Sequence, residues 1–132
     1  FTVKSYNREH QVSFDNGQAL KASAAPEYKG DPNCVNPEQA FVASLASCHM
    51  LTFLYVAATQ GFTVDSYEDN AVGVLGKNES GKMAMTKITL QPRIAFSGDK
   101  IPSKEQLKSM HDKAHEGCFI ANSVNSKVEV AD

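Results

Sequence analysis

Asn36-Pro37-Glu38-Gln39-Ala40-Phe41-Val42-Ala43-Ser44-Leu45-Ala46-Ser47-Cys48-His49-Met50 is the stretch whose reading decides the fold. It opens with stacked helix-start signals. An Asn36 side-chain oxygen can accept a free N–H of the first turn, Pro37 has no N–H to lose, and Gln39 can close a capping box. Apolar residues continue through Leu51, Phe53, Leu54, Val56 and Ala57, and Gly61 is a good stop. The pattern predicts a helix from Asn36 to about Gln60, apolar on almost every face. Such a helix is expected to be buried on several sides rather than laid on a surface. At roughly 1.5 Å per residue it spans about 36 Å, the width of a small domain. It is therefore expected to be the central spine and to meet a partner subunit as well.

Outward from this helix the chain reads as strands. Toward the N-terminus, Thr2–Tyr6 and Gln11–Phe14 are expected strands, and Asp15-Asn16-Gly17 is a hairpin turn that returns through Gln18–Ser23. Residues 24–35 hold Pro26, Gly30, Pro32 and Asn33 and read as a loop. Toward the C-terminus, Phe62–Leu75 carries β-formers, Gly76–Lys82 is a polar turn, and Met83–Phe96 alternates as a strand. Pro92 favours an edge or a strand end. Ser103 reads as the N-cap of a second helix ending at Gly117, a short helix is expected from Cys118, and Lys127–Val130 reads as a last strand. The expected fold is α+β: an antiparallel sheet, a long buried central helix and a second helix, in a single domain over residues 1–132.

Composition narrows the function. The chain has 132 residues, 42% of them hydrophobic, enough for a real core without disulfide staples. Its net charge is −2, and its two arginines, Arg8 and Arg93, form no basic cluster, which argues against a nucleic-acid surface. No run of 18 or more purely apolar residues suggests a membrane span. Three cysteines, Cys34, Cys48 and Cys118, are too few for a secreted disulfide framework. The expected setting is a reducing, cytoplasmic one.

Cys48 and Cys118 are the residues with chemistry to offer. A cysteine in an apolar helix is usually core filler. Here Ser47 and His49 make a polar notch around Cys48, and Cys118 follows Gly117 at an expected helix start, where free N–H groups favour a thiolate. Two thiols on separate elements suit a peroxidatic cysteine and a resolving one. Cys48 lies too deep in its helix for the dipole to help, so it needs a cation, with Arg8 or His49 as candidates. Two other readings stand beside this one. His111 and His115 are spaced as two ligands on one helix face, with Asp112 and Cys118 near, which suits a metal-binding protein. A small-ligand-binding protein in which the thiols merely pack is the other. Cys34 reads as an incidental loop thiol, and Tyr6, Arg8 and His10 as one face of a strand.

The run Asn36 to Phe41 through Ser47-Cys48-His49, together with Ala114-His115-Glu116-Gly117-Cys118-Phe119-Ile120-Ala121-Asn122-Ser123, resembles the OsmC/Ohr family of thiol peroxidases. Cys48-His49-Met50-Leu51 and Ser23-Ala24-Ala25-Pro26-Glu27 are similar to its OsmC-like branch. The resemblance implies an intertwined α+β homodimer that reduces organic hydroperoxides to alcohols in oxidative stress defence, without metal or organic cofactor. It implies Cys48 as peroxidatic cysteine, Cys118 as resolving cysteine, a Cys48–Cys118 disulfide, Glu38 as acidic partner and Arg8 as active-site cation. It also implies an external dithiol reductant, such as a lipoylated protein. His10 is a further site candidate by the same resemblance. The stretch after Gly30 departs from the family's glycine-rich loop and carries Cys34. Ten residues of straight helix, about 15 Å, separate Glu38 from Cys48. Either the helix breaks between them, or Glu38 reaches the cysteine of the partner subunit across a two-fold axis.

Overall fold

The first helix begins where its caps require. The structure, a computed structural model, describes residues 1–132. Helix α1 runs from Pro37 to Thr59 without a break. Asn36 Oδ1 accepts the Gln39 N–H at 2.9 Å, and Gln39 Oε1 accepts the Asn36 N–H at 3.0 Å, a complete capping box. At the other end Gly61 sits at φ +81°, a conformation side chains resist, and the Phe62 N–H turns back to the Ala57 carbonyl at 3.0 Å. By length and mean hydropathy (1.7) α1 is the one helix apolar enough to cross a membrane. Its buried residues nevertheless form a single stripe, Val42, Leu45, His49, Phe53, Val56 and Ala57, spaced three and four apart as in a core helix. Burial on several sides, expected from composition, is thus reduced to one side within this chain. Leu51 and Tyr55 remain 60% and 71% exposed.

The chain divides into two compact units, Phe1–Phe41 and Val42–Asp132. In the first, β1 (His10–Ser13) and β2 (Ala19–Ala22) form an antiparallel hairpin, with His10 opposite Ala22 and Ser13 opposite Ala19. Thr2–Tyr6 is not the expected strand. The Ser5 and Tyr6 N–H groups both close onto the Thr2 carbonyl, at 3.1 and 3.0 Å, which coils the segment into a turn. In the expected loop, Pro26–Tyr28 makes one 3₁₀ turn.

The second unit holds β3 (Thr63–Asp69), β4 (Val72–Lys77), β5 (Met83–Leu90), β6 (Pro92–Ser97), α2 (Lys104–Gly117) and β7 (Lys127–Val130). Strand β3 pairs with β6, and β5 lies between β4 and β7. The stretch expected as one strand over Met83–Phe96 is two, each serving a different sheet. The break falls at Gln91, whose N–H leaves the ladder to bond Asp69 Oδ1 at 2.7 Å, and Pro92 has no N–H with which to resume it. Strand β7 runs parallel to β5, because β6 and α2 make the crossover between them; the other paired strands are antiparallel. Ser103 and Gln106 form the capping box of α2. Phe53 of α1 is at the centre of the core, with ring centroids 4.5 Å from His111, 5.7 Å from Tyr67 and 6.5 Å from Phe96. Ile88 and Leu90 of β5 are fully buried.

Candidate active site

Cys48 lies on α1, half-buried, and Cys118 caps the C-terminus of α2, fully buried. Cys118 does not start a helix as the sequence suggested. It ends one, and the chain then turns through Phe119 and Ile120 into a 3₁₀ turn at Ala121–Ser123. That turn is closed by its own hydrogen bonds: Asn122 N–H to the Cys118 carbonyl at 3.0 Å, Ser123 N–H to the Ile120 carbonyl at 2.9 Å, and the Ser123 hydroxyl to the Phe119 carbonyl at 2.8 Å. It leaves the Phe119 and Ile120 N–H groups free to donate to the Cys48 sulfur, while the Ala121 N–H donates to Cys118 Sγ at 3.4 Å. The Cys118 thiol also donates to Cys48, so both sulfurs share one site, and both thiols are free.

Two neighbours shape this contact. Gly117 stands against Thr52 of α1: a Cβ built on it would lie 3.1 Å from Thr52 Cγ2, so a side chain there would press the two helices apart. Thr52 Oγ1 donates to the Cys48 carbonyl at 2.9 Å.

The thiols are driven in opposite directions. Burial alone raises the Cys48 pKa, but the Ile120 N–H, the Cys118 thiol, the Phe119 N–H and the Thr52 hydroxyl, all able to donate to the ionised sulfur, outweigh it and bring the value below that of a free thiol. At Cys118 burial raises the pKa, the Ala121 N–H opposes it, and the hydrogen bond and charge of Cys48 raise it further. Cys48 is therefore the first to ionise, and Cys118 keeps its proton as the donor between them.

His49 is not the cation Cys48 would need. It is 1% exposed, aims its Nε2 at His111 Nδ1 3.0 Å away, and is held down to about 4, chiefly by burial and then by the charges of His111 and His115. It is neutral at pH 7. His111 is likewise lowered to about 4 by burial, against the opposing pull of Asp112. The three candidate ligands His111, His115 and Cys118 do not converge, and no three His, Cys, Asp or Glu side chains form a ligand group.

Arg8 and Glu38 belong to the first unit, and one chain does not pair them. Arg8 lies just before β1 rather than in it. Its guanidinium folds back onto the Tyr6 and Val3 carbonyls, at 2.5 and 2.9 Å, and stacks 3.7 Å above the Tyr6 ring. Glu38 stands in the first turn of α1 with a buried Oε2 that has no hydrogen-bond partner. His10 Nδ1 is 2.9 Å from the Arg8 carbonyl. Cys34 is half-buried, and its pKa is raised by burial and by the charges of Asp31 and Glu9, which makes it a poor nucleophile.

Sequence reading missed Thr52, the Phe119 and Ile120 amides and the His49–His111 pair. Thr52 follows Cys48 by four residues, one helical turn, and that spacing is a usable signal. Backbone amides carry no residue signature.

The fold is thus an α+β frame, antiparallel except for the β5–β7 pair, that sets two free thiols in one site. The model of the OsmC-like protein family matches residues 30–131, and the chain belongs to that family. It is 49% identical to an OsmC-like protein of unknown function from Vibrio cholerae, with a TM-score of 0.94 over 97% of this chain and 86% of that one. An organic hydroperoxide resistance protein of Bacillus subtilis is 25% identical, with a TM-score of 0.71 over 96% of this chain and 93% of that one. An OsmC-like protein from Mycoplasma pneumoniae, 18% identical with a TM-score of 0.71 over 96% and 95% of the two chains, shares the fold. No curated protein matches the chain.

Proposed function

We propose that the protein is a cysteine-based peroxidase that reduces organic hydroperoxides to alcohols in oxidative stress defence. The observation that carries this reading is the contact between Cys48 and Cys118, with the first favoured as thiolate and the second as thiol. The hydroperoxide-resistance relative, at 25% identity, supports the substrate class. Exposed Phe119, next to Cys118 in sequence, offers apolar surface to an alkyl chain.

The Cys48 thiolate attacks the distal peroxide oxygen. The O–O bond breaks, Cys48 becomes a sulfenic acid, and the departing alkoxide takes a proton to give the alcohol. Cys118 then attacks the sulfenic sulfur, forming the Cys48–Cys118 disulfide and releasing water. An external dithiol, such as a lipoylated protein, restores both thiols by exchange. The cycle uses no metal or organic cofactor, and a reducing, cytoplasmic compartment supplies the reductant.

Residues 1–132 act as one domain of a homodimer. An isolated two-stranded hairpin is marginal in water, and β1–β2 leaves Val12, Phe14 and Leu20 exposed. The open side of α1 with Leu51 and Tyr55 asks for the same cover. Because α1 is unbroken, Glu38 cannot bend back to its own Cys48. Two α1 helices packed antiparallel bring Glu38 to Cys48 of the partner subunit, and the unpartnered Glu38 Oε2 is free to fix Arg8, which polarises the peroxide.

Steady-state reduction of cumene hydroperoxide with a dithiol reductant tests the function. Wild type turns over; Cys48→Ser does not. Full activity in Cys48→Ser would refute the reading, and peroxide-independent thiol counts would favour ligand binding alone.

A further inference from the structure

We propose that Thr52 is a further active-site residue, whose hydroxyl moves from the Cys48 carbonyl to the Cys48 sulfur when that sulfur ionises. The meaning of this step for catalysis rests on the peroxidase reading; the step itself does not. Thr52 lies one helical turn after Cys48, with its Oγ1 2.9 Å from the Cys48 carbonyl. A hydroxyl has one proton to give, and rotation about the Cβ–Oγ1 bond decides which acceptor receives it. On the neutral thiol, a weak acceptor, the proton rests on the carbonyl. A thiolate is the stronger acceptor, and charge-assisted hydrogen bonds are roughly twice as strong as neutral ones.

The surroundings hold Thr52 for this task. Its methyl group faces Gly117, where even a Cβ would approach to 3.1 Å, so α2 leaves it little room to move away. The turn after α2 brings the Phe119 and Ile120 N–H groups to the same sulfur, and the Thr52 hydroxyl, one helical turn away, is within reach of it once it ionises. The cradle thus has two amides from the Cys118 turn and one hydroxyl from the helix of Cys48 itself. An amide donor is removed only by proline, which also changes the backbone of the turn; the hydroxyl is removed by a side-chain substitution alone. All of these groups belong to one compact unit.

The test is the pH dependence of iodoacetamide alkylation at Cys48, followed by mass spectrometry of the Cys48 peptide in a Cys34→Ser background. Thr52→Val keeps the shape and removes the donor. It is expected to raise the midpoint by about one pH unit, a roughly tenfold slower reaction below the midpoint. Thr52→Ser, which keeps the hydroxyl, is expected to stay within about twofold of wild type. Thr52→Ala, a second variant without the donor, is expected to follow Thr52→Val should that variant fold poorly. An unshifted midpoint in the donor-free variants would overturn the proposal. So would an equal shift in Thr52→Ser, which would assign the effect to methyl packing on Gly117. Peroxide turnover is measured in parallel: a shifted midpoint in a protein without turnover supports the role of Thr52 while refuting the peroxidase reading.

Discussion

His49 Nε2 lies 3.0 Å from His111 Nδ1, and the two imidazole rings stack with centroids 5.2 Å apart and planes 10° from parallel. The pair joins α1 to α2, and both residues are buried. One ring must donate and the other accept, so the contact suits two neutral imidazoles. Their neighbours are Phe53 on α1 and the ionisable side chains of Asp112 and His115 on α2.

Acid is expected to loosen the fold through this pair. Each histidine titrates near 4 when folded, below the ordinary 6.5. Between these values the unfolded chain binds protons that the folded chain refuses, so stability is full above about pH 6.5 and falls as pH drops toward 4. The loss by pH 5 is roughly 2 kcal/mol per histidine. Urea denaturation at pH 7.5 and pH 5 checks it. The midpoint should fall, and a His49→Leu/His111→Leu double variant should show a shallower dependence. Equal slopes in both proteins would contradict the assignment.

Two glycines should differ in how they tolerate alanine. A Cβ on Gly30 would lie 1.6 Å from the Ala24 carbonyl oxygen, a backbone atom. A Cβ on Gly73 would meet Met85 Cε at 2.5 Å and Val42 Cγ2 at 2.6 Å, side-chain ends that can shift. Thermal denaturation should show Gly30→Ala losing about 3 kcal/mol and Gly73→Ala about 1 kcal/mol. The reverse order would show that the loop around Gly30 relaxes freely.

Cys118→Ser should separate attack from resolution. The variant is expected to consume about one equivalent of hydroperoxide per Cys48 and then stall, with Cys48 trapped by a sulfenic-acid reagent. Sustained turnover with an unchanged rate would remove Cys118 from the cycle.

Leu51→Glu should test the open face of α1. Leu51 is 60% exposed within the chain, so a carboxylate there costs the isolated fold little. Across a helix pair it would bury a charge. Sedimentation should report a monomer, with peroxide turnover lost and the circular dichroism spectrum kept. An unchanged dimer would move the interface elsewhere.

The sequence made local signals plain and non-local ones obscure. Both capping boxes, Asn36 with Gln39 and Ser103 with Gln106, stand at the helix starts their residue types indicate. Thr2–Tyr6 has strand-like composition but no partner strand, and it coils. The Met83–Phe96 alternation is real on both sides of Gln91; that its halves join different sheets depends on Asp69, far away in sequence. The parallel β5–β7 pairing likewise depends on where α2 returns the chain. At the site the two thiols were legible as a pair. The donors to Cys48 were not, because two of them are backbone amides. His49 looked like a polar notch beside Cys48, but on a helix its neighbour in sequence points elsewhere, into the core and toward His111.

Mass spectrometry of the peptides released after treating the reduced protein with one equivalent of organic hydroperoxide tests the central claim most directly. The account predicts a Cys48–Cys118 disulfide-linked peptide that disappears on adding dithiol, with Cys34 left as a thiol. Recovery of Cys48 and Cys118 as unmodified thiols, with the peroxide unspent, would contradict it.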